Sequence, residues 1–340
     1  MASHTMAGQV NTDSKDTLGD AEYKKREASW PLVLWYIHVY ILGGYGIYVT
    51  FTTALWSTIL FTALLTSLGI LGVTVGVHRL WAHRTFTANT PLRVFLMLCQ
   101  TLSGQGTIYS RVQAHRLHHA HFQQDEDPYY SKHSFLYAQL HGNLFKYSQQ
   151  QEQLLKAVDM SDVEKDEIVM FQKRYYVLLY ILINVLMPVN TPFQYFGEAL
   201  SNSLFMGFWL RSLIVLNVGN LVNSAHFIWS IHKGFKPTDS NSIFIITKSF
   251  WPQYHYLLPN DYLSGEFGDY ASGTGSTMIR LFAALDWVRD LHTISSEAVR
   301  RGLTEAVEHN RPIVECIKEH VQREESTRPT NHFLNRDKFM

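Results

Sequence analysis

The sequence predicts an all-α membrane protein with four transmembrane helices in two hairpins and large helical segments on the cytosolic side. Three observations carry that expectation. From Pro31 to His78 there is no Asp, Glu, Lys or Arg. A bilayer span needs about 20 apolar residues, so this run holds two spans back to back. Two further apolar stretches follow residue 174. Finally, lysines and arginines avoid the short connections near residues 51–53 and 188–202, and nearly all gather in the N-terminal segment, in residues 79–174 and in the tail. That bias places those parts, and both termini, on the cytosolic side. A soluble helical protein would have to bury the whole uncharged run, which soluble cores rarely do.

The first span is expected at about Pro31–Thr50 and the second at about Ala54–Gly76, with a short uncharged turn between them. The third fits Tyr175–Phe196, with Pro188 and Pro192 marking its end, and the fourth fits Ser203–Leu221. The fourth contains Arg211, a charge that must face a protein partner or a cavity rather than lipid. Residues 1–29 form a polar cytosolic segment without the apolar core of a cleaved signal peptide. PLRVFLMLCQTL (91–102) reads as an interfacial helix, and residues 149–174 read as a surface helix. The main domain is expected over residues 30–300, followed by a cytosolic helical tail over 301–340 whose last twenty residues are disordered.

Composition excludes some functions. With 29 Lys+Arg against 29 Asp+Glu, nucleic-acid binding has no electrostatic support. The two cysteines, Cys99 and Cys316, cannot build a disulfide framework, which points to a reducing compartment.

The histidines carry the chemistry. There are seventeen. The second span runs directly into HRLWAH, which puts His78 and His83 at the cytosolic edge of the membrane. AHRLHHAH follows, and on a helix His115, His118 and His119 share one face. A lone histidine is more often a satisfied polar residue, but two tight clusters beside membrane spans point to a metal. Imidazole suits iron, zinc or copper. One zinc takes four ligands, often including thiolates or carboxylates. This set exceeds that need and lacks thiolates, so two metals and iron–oxygen chemistry are the natural expectation.

HRLWAHRTF (78–86), HRLHH (115–119), DEDPYYS (125–131), DMSDVEKDEIVMFQKRYY (159–176), VLNVGNLVNSAH (215–226) and YHYLLPNDY (254–262) resemble the membrane acyl-CoA desaturases, the stearoyl-CoA desaturase type of animals. The similarity runs in order over about residues 30–300. The resemblance implies a multi-pass protein of the endoplasmic reticulum, with both termini cytosolic and a cytosolic cap carrying a di-iron centre. It implies a fatty acyl-CoA and O2 as substrates, with electrons from cytochrome b5 and its reductase.

Carried over by position, the resemblance assigns His78, His83, His115, His119 and His255 to one iron, and all five are present. The second iron would take His118, His226 and two histidines of the third box. That box here reads PQYHY, with Pro252 and Tyr256 at the two expected histidines. The family's NSAAH is shortened to NSAH, which turns His226 by roughly 100° around a helix. Asn223, His232 and Tyr256 are candidate substitute or water-mediated ligands, and His121, His133 and His141 are further histidines available nearby. Arg111, Gln113 and Ala114 stand where the family has Trp, Arg and Asp, and Lys146 keeps one charge of a basic pair; Arg111 and Lys146 are candidate substrate contacts.

The expected function is therefore an acyl-CoA desaturase of the stearoyl-CoA 9-desaturase kind. The alternative is a catalytically impaired relative that binds acyl lipid or regulates a partner as a homo-oligomer or hetero-oligomer. A changed reaction such as hydroxylation is a third reading.

Overall fold

In the computed structural model, four long apolar helices stand together and a helical cap covers the end at which the histidines lie. The structure describes residues 26–129, 134–229, 252–267 and 270–327. In chain order the helices are α1 (Trp30–Thr52), α2 (Trp56–Ala82), α3 (Thr90–Ser103) and α4 (Ile108–Ala120). α5 (Phe135–Gln139), α6 (Gln149–Ala157), α7 (Ser161–Glu164) and α8 (Glu167–Phe196) follow. The remainder are α9 (Leu200–Ser224), α10 (His226–Trp229), α11 (Pro252–Leu257), α12 (Thr274–Ala284), α13 (Ser296–Glu308) and α14 (Ile313–Thr327). The two short strands β1 (Thr87–Ala88) and β2 (Val288–Arg289) pair antiparallel and tie the start of the cap to its later part.

α1, α2, α8 and α9 are each long and apolar enough to cross a bilayer. The expected all-α membrane architecture therefore holds. α1 leaves Leu34, Ile37, Ile41 and Tyr48 exposed, which is the composition of a lipid-facing surface. Its other side meets α9 closely: a Cβ added at Gly46 would lie 2.6 Å from the Phe205 carbonyl oxygen. Small residues permit such an approach between membrane helices. Gly72 does the same for α2 against α3, where an added Cβ would lie 2.3 Å from the Gln100 nitrogen.

Several boundaries differ from expectation. The second helix continues past Gly76 to Ala82, and its last part, Gly72–Ala82, is π-wound. His78 therefore lies inside the helix rather than beyond its end. The segment 149–174 is not one surface helix. Val158 is extended and ends α6, and Asp166 caps a new helix by accepting from the Ile168 and Val169 amides. That new helix is α8, the third membrane helix, which starts in the cap. Pro188 does not stop it. Wider π turns at Tyr180–Leu186 and Pro192–Phe196 absorb the missing amide donors, and the helix ends at Gly197 with φ of +74°.

α3 buries Leu92, Leu96 and Cys99 and leaves Val94 and Leu98 exposed, so it is a packed helix with an apolar outer edge. Arg211 is fully buried. It has no carboxylate partner among the described residues. Instead it donates to the carbonyl oxygens of Gly207, Leu102 and Asn184, and to the Asn184 side-chain oxygen. Carbonyl dipoles thus satisfy a charge that lipid could not.

The tail is ordered further than expected. α13 and α14 form a hairpin around Leu303 and Ile317, so residues 321–327 are helical, and residues 328–340 lie outside the described set. This hairpin packs against Tyr254 and Leu258. It thereby braces α11, the helix that carries His255.

Candidate metal centre

Three separate pieces of chain bring the histidines together. His78 lies in the π-wound part of α2, and His83 caps that helix with its amide bonded to the His78 carbonyl at 3.1 Å. α4 presents His115, His118 and His119, and its N-terminus is capped by the Thr107 hydroxyl. His255 lies on α11, which opens with Pro252, a residue suited to the first helical position.

Nitrogen atoms of His78, His83, His115, His119 and His255 all lie within 4.8 Å of one another. Among the described residues this is the one grouping of that kind. The His83 and His115 Nε2 atoms face each other at 2.8 Å, and those of His78 and His255 at 3.1 Å. Nitrogens bound at about 2.1 Å to one ion would lie about 4.2 Å apart across it, so the cluster has the right dimensions.

The outer nitrogens fix the tautomers. Glu266 is buried, which favours its protonated form, yet Arg79 and the hydrogen bond from His78 hold it below the ordinary carboxylate range. As a carboxylate it only accepts, so His78 donates through Nδ1 at 3.2 Å and turns the Nε2 lone pair inward. Asn223 Oδ1 does the same for His115 at 3.1 Å. Arg79 is itself anchored by Glu266, the Tyr262 carbonyl and the Ser276 hydroxyl. Burial, and then the neighbouring histidines, push His83, His115 and His119 well below the usual imidazole range. For His255 burial acts first, followed by His78. All four are thus neutral, the form that binds metal.

The chain fits one metal here. Both ring nitrogens of His119 are shielded from solvent and have no hydrogen-bond partner among the described residues, a cost that a coordinated ion would remove.

Among the described residues the second position does not fit. His118 donates from Nδ1 to Asp127 at 2.8 Å, and its Nε2 accepts from the Tyr256 hydroxyl at 3.1 Å. Burial, and then Asp127, push the Tyr256 hydroxyl far above its ordinary value. In this metal-free arrangement Tyr256 is a phenol that donates its proton to His118. Phe122 stacks on it, with ring centres 3.6 Å apart and planes 12° apart. The Phe122 ring also lies 5.7 Å from that of His118 and 5.0 Å from that of His226. An aromatic pair fills the space between the histidines expected to share a second ion.

Asn223 supports His115 from behind. His121 bonds Gln124 at an exposed helix end, and His141 packs between Tyr137 and Phe145. His133 and His232 lie outside the described residues. Arg111 and Lys146 line one cavity of about 460 Å³ beside the centre. Glu266, Asp127 and Phe122 are the functional neighbours that sequence reasoning missed. Glu266 is 188 residues from His78, with no local signal to join them.

Comparison with known proteins agrees with the geometry. The fatty acid desaturase family model matches residues 54–262. The chain is 33% identical to an acyl-CoA Delta-9 desaturase of Acheta domesticus, covering 86% of this chain and 83% of that protein. It is 34% identical to an acyl-CoA Delta-12 desaturase of Tribolium castaneum, over 80% and 77% of the two chains. To the stearoyl-CoA desaturase of Homo sapiens it is 30% identical, over 85% and 83%. With four helices long and apolar enough to span a membrane, a family model that matches most of the chain and relatives at 30–34% identity over most of both lengths, this chain belongs to the membrane acyl-CoA desaturases, a family of oxidoreductases that depend on two irons.

Proposed function

We propose that the chain acts on a saturated fatty acyl-CoA as an acyl-CoA desaturase of the stearoyl-CoA 9-desaturase kind, in the endoplasmic reticulum membrane with both termini cytosolic. In this reading one O2, two electrons from cytochrome b5 and its reductase, and two protons combine with two hydrogens of the acyl chain, giving a double bond and two waters. Iron, when bound, supplies the redox chemistry that an unactivated C–H bond requires. The chain's own residues do the rest. His78, His83, His115, His119 and His255 would hold the ion, and Glu266 and Asn223 aim two of those rings. Trp35, Leu32 and Leu216 give the adjacent cavity an apolar wall for an acyl chain. The five-histidine cluster is the observation that carries this reading.

The Phe122–Tyr256 pair favours a second reading. Desaturation by a two-metal centre requires Tyr256 to leave His118 and Phe122 to give way. If they stay, the chain holds one metal and serves as an acyl-lipid-binding or regulatory relative, working as a homo-oligomer or with an active partner. The deciding experiment supplies stearoyl-CoA, O2, cytochrome b5 and its reductase to the detergent-purified chain. Acyl products are analysed by mass spectrometry and metal is counted in the same sample. A monounsaturated product with two metals supports the first reading, and no product with one metal supports the second.

A further inference from the structure

The cavity lined by Arg111 and Lys146 shares two helices with the metal centre: Ala114 precedes His115 on α4, and Asn220 lies about one turn before Asn223 on α9. Its volume, about 460 Å³, is within the range of small-molecule pockets. The wall is apolar at Leu32, Trp35 and Leu216 and phenolic at Tyr36 and Tyr129. No carboxylate lines it among the described residues.

The two cations differ in their state. Lys146 is paired with Glu27 at the exposed mouth of the cavity, with Nζ 2.9 Å from the carboxylate. Arg111 makes one hydrogen bond, from Nη2 to Gln105 Oε1 at 3.0 Å, and no ion pair among the described residues. Gln105 is itself held by donating to the Val215 carbonyl at 2.6 Å, so the acceptor that orients the guanidinium is fixed. A guanidinium has five N–H donors in a rigid fork. An uncompensated cation against an apolar wall is costly, and an anion removes that cost. The fork matches a carboxylate, which it can bind through two parallel hydrogen bonds. A thioester carbonyl has no net charge and offers no such match.

We propose that this cavity binds a long-chain fatty acid anion, with its carboxylate on Arg111 and its tail along the Trp35–Leu216 wall. The inference goes beyond the acyl-CoA reading and takes from it only that this cavity holds an acyl chain. It makes Arg111 the residue that selects a free acid over an uncharged chain of equal length.

The test is equilibrium dialysis of palmitate and hexadecanol against the detergent-purified full chain at a pH where the acid is ionised. Wild type should prefer palmitate by about tenfold or more, the size of a charge-assisted hydrogen-bond pair. Arg111→Gln should abolish the preference while hexadecanol still binds, and Arg111→Lys should restore part of it. Equal affinities in wild type, or a preference that survives Arg111→Gln, would overturn the proposal. The wild-type comparison is decisive even if a variant does not fold. Stearoyl-CoA turnover is read separately. Turnover without a charge preference overturns only this inference, and a charge preference without turnover overturns only the desaturase reading.

Discussion

Glu266 accepts from Arg79 and from His78 at once, so replacing it disturbs a metal ligand and a buried guanidinium together. Glu266→Gln should weaken metal retention by about 10–100-fold, the usual effect of losing an outer hydrogen-bond partner. Competition against a graded series of chelators measures this, and an unchanged curve would contradict the role given to Glu266. Tyr256 makes the opposite case. It donates to His118 and lies outside the five-histidine grouping, so Tyr256→Phe should cost about 0.5–1.5 kcal/mol of stability and leave metal content unchanged. A fall in bound metal, or the loss of a visible phenolate-to-iron absorption band, would make Tyr256 a ligand instead. His78, His83, His115 and His119 are legible in the sequence because they stand in two clusters at the end of an apolar run. His255 is legible only through resemblance to a family. Asp127 and Phe122 follow His118 closely, yet nothing in their spacing says that one fixes its tautomer and the other fills the space beside it.

Among the elements, the membrane helices are the most legible, since a long uncharged run has few other uses. Their ends are less so. α8 passes Pro188 because neighbouring π turns take up the missing donors, and it begins within the cap, at Glu167, because Asp166 caps it there. Neither effect is visible in hydropathy. The sequence of the C-terminal hairpin suggests only a helical tail, yet the hairpin packs behind α11 through Leu303, Ile317 and Tyr254. Leu303 is fully buried, so Leu303→Ala should destabilise the cap by about 2–5 kcal/mol. Because α11 rests on this hairpin, amide hydrogen exchange across residues 254–258 should quicken in the same variant. Unchanged exchange there would mean that α11 is held by the histidines alone.

At the scale of the whole molecule, the cap holds several neutral imidazoles in one shielded place. His83, His115, His119 and His255 all lie well below their ordinary range. As the pH falls below about 6.5, the unfolded chain binds protons at these positions while the folded chain does not. The metal-free protein should therefore be most stable above that pH and lose stability progressively below it, toward the depressed folded values. Melting temperatures of the metal-free protein from pH 8 to pH 5 measure this, and a flat profile would contradict the burial described here. Five histidines from α2, its cap, α4 and α11 lie together as a grouping that could hold one metal ion. The most direct test of that role is total metal per chain in wild type and His119→Ala, purified side by side and shown to be equally folded. Wild type should retain metal at this site and the variant should lose it. Equal metal content in the two proteins would contradict that role.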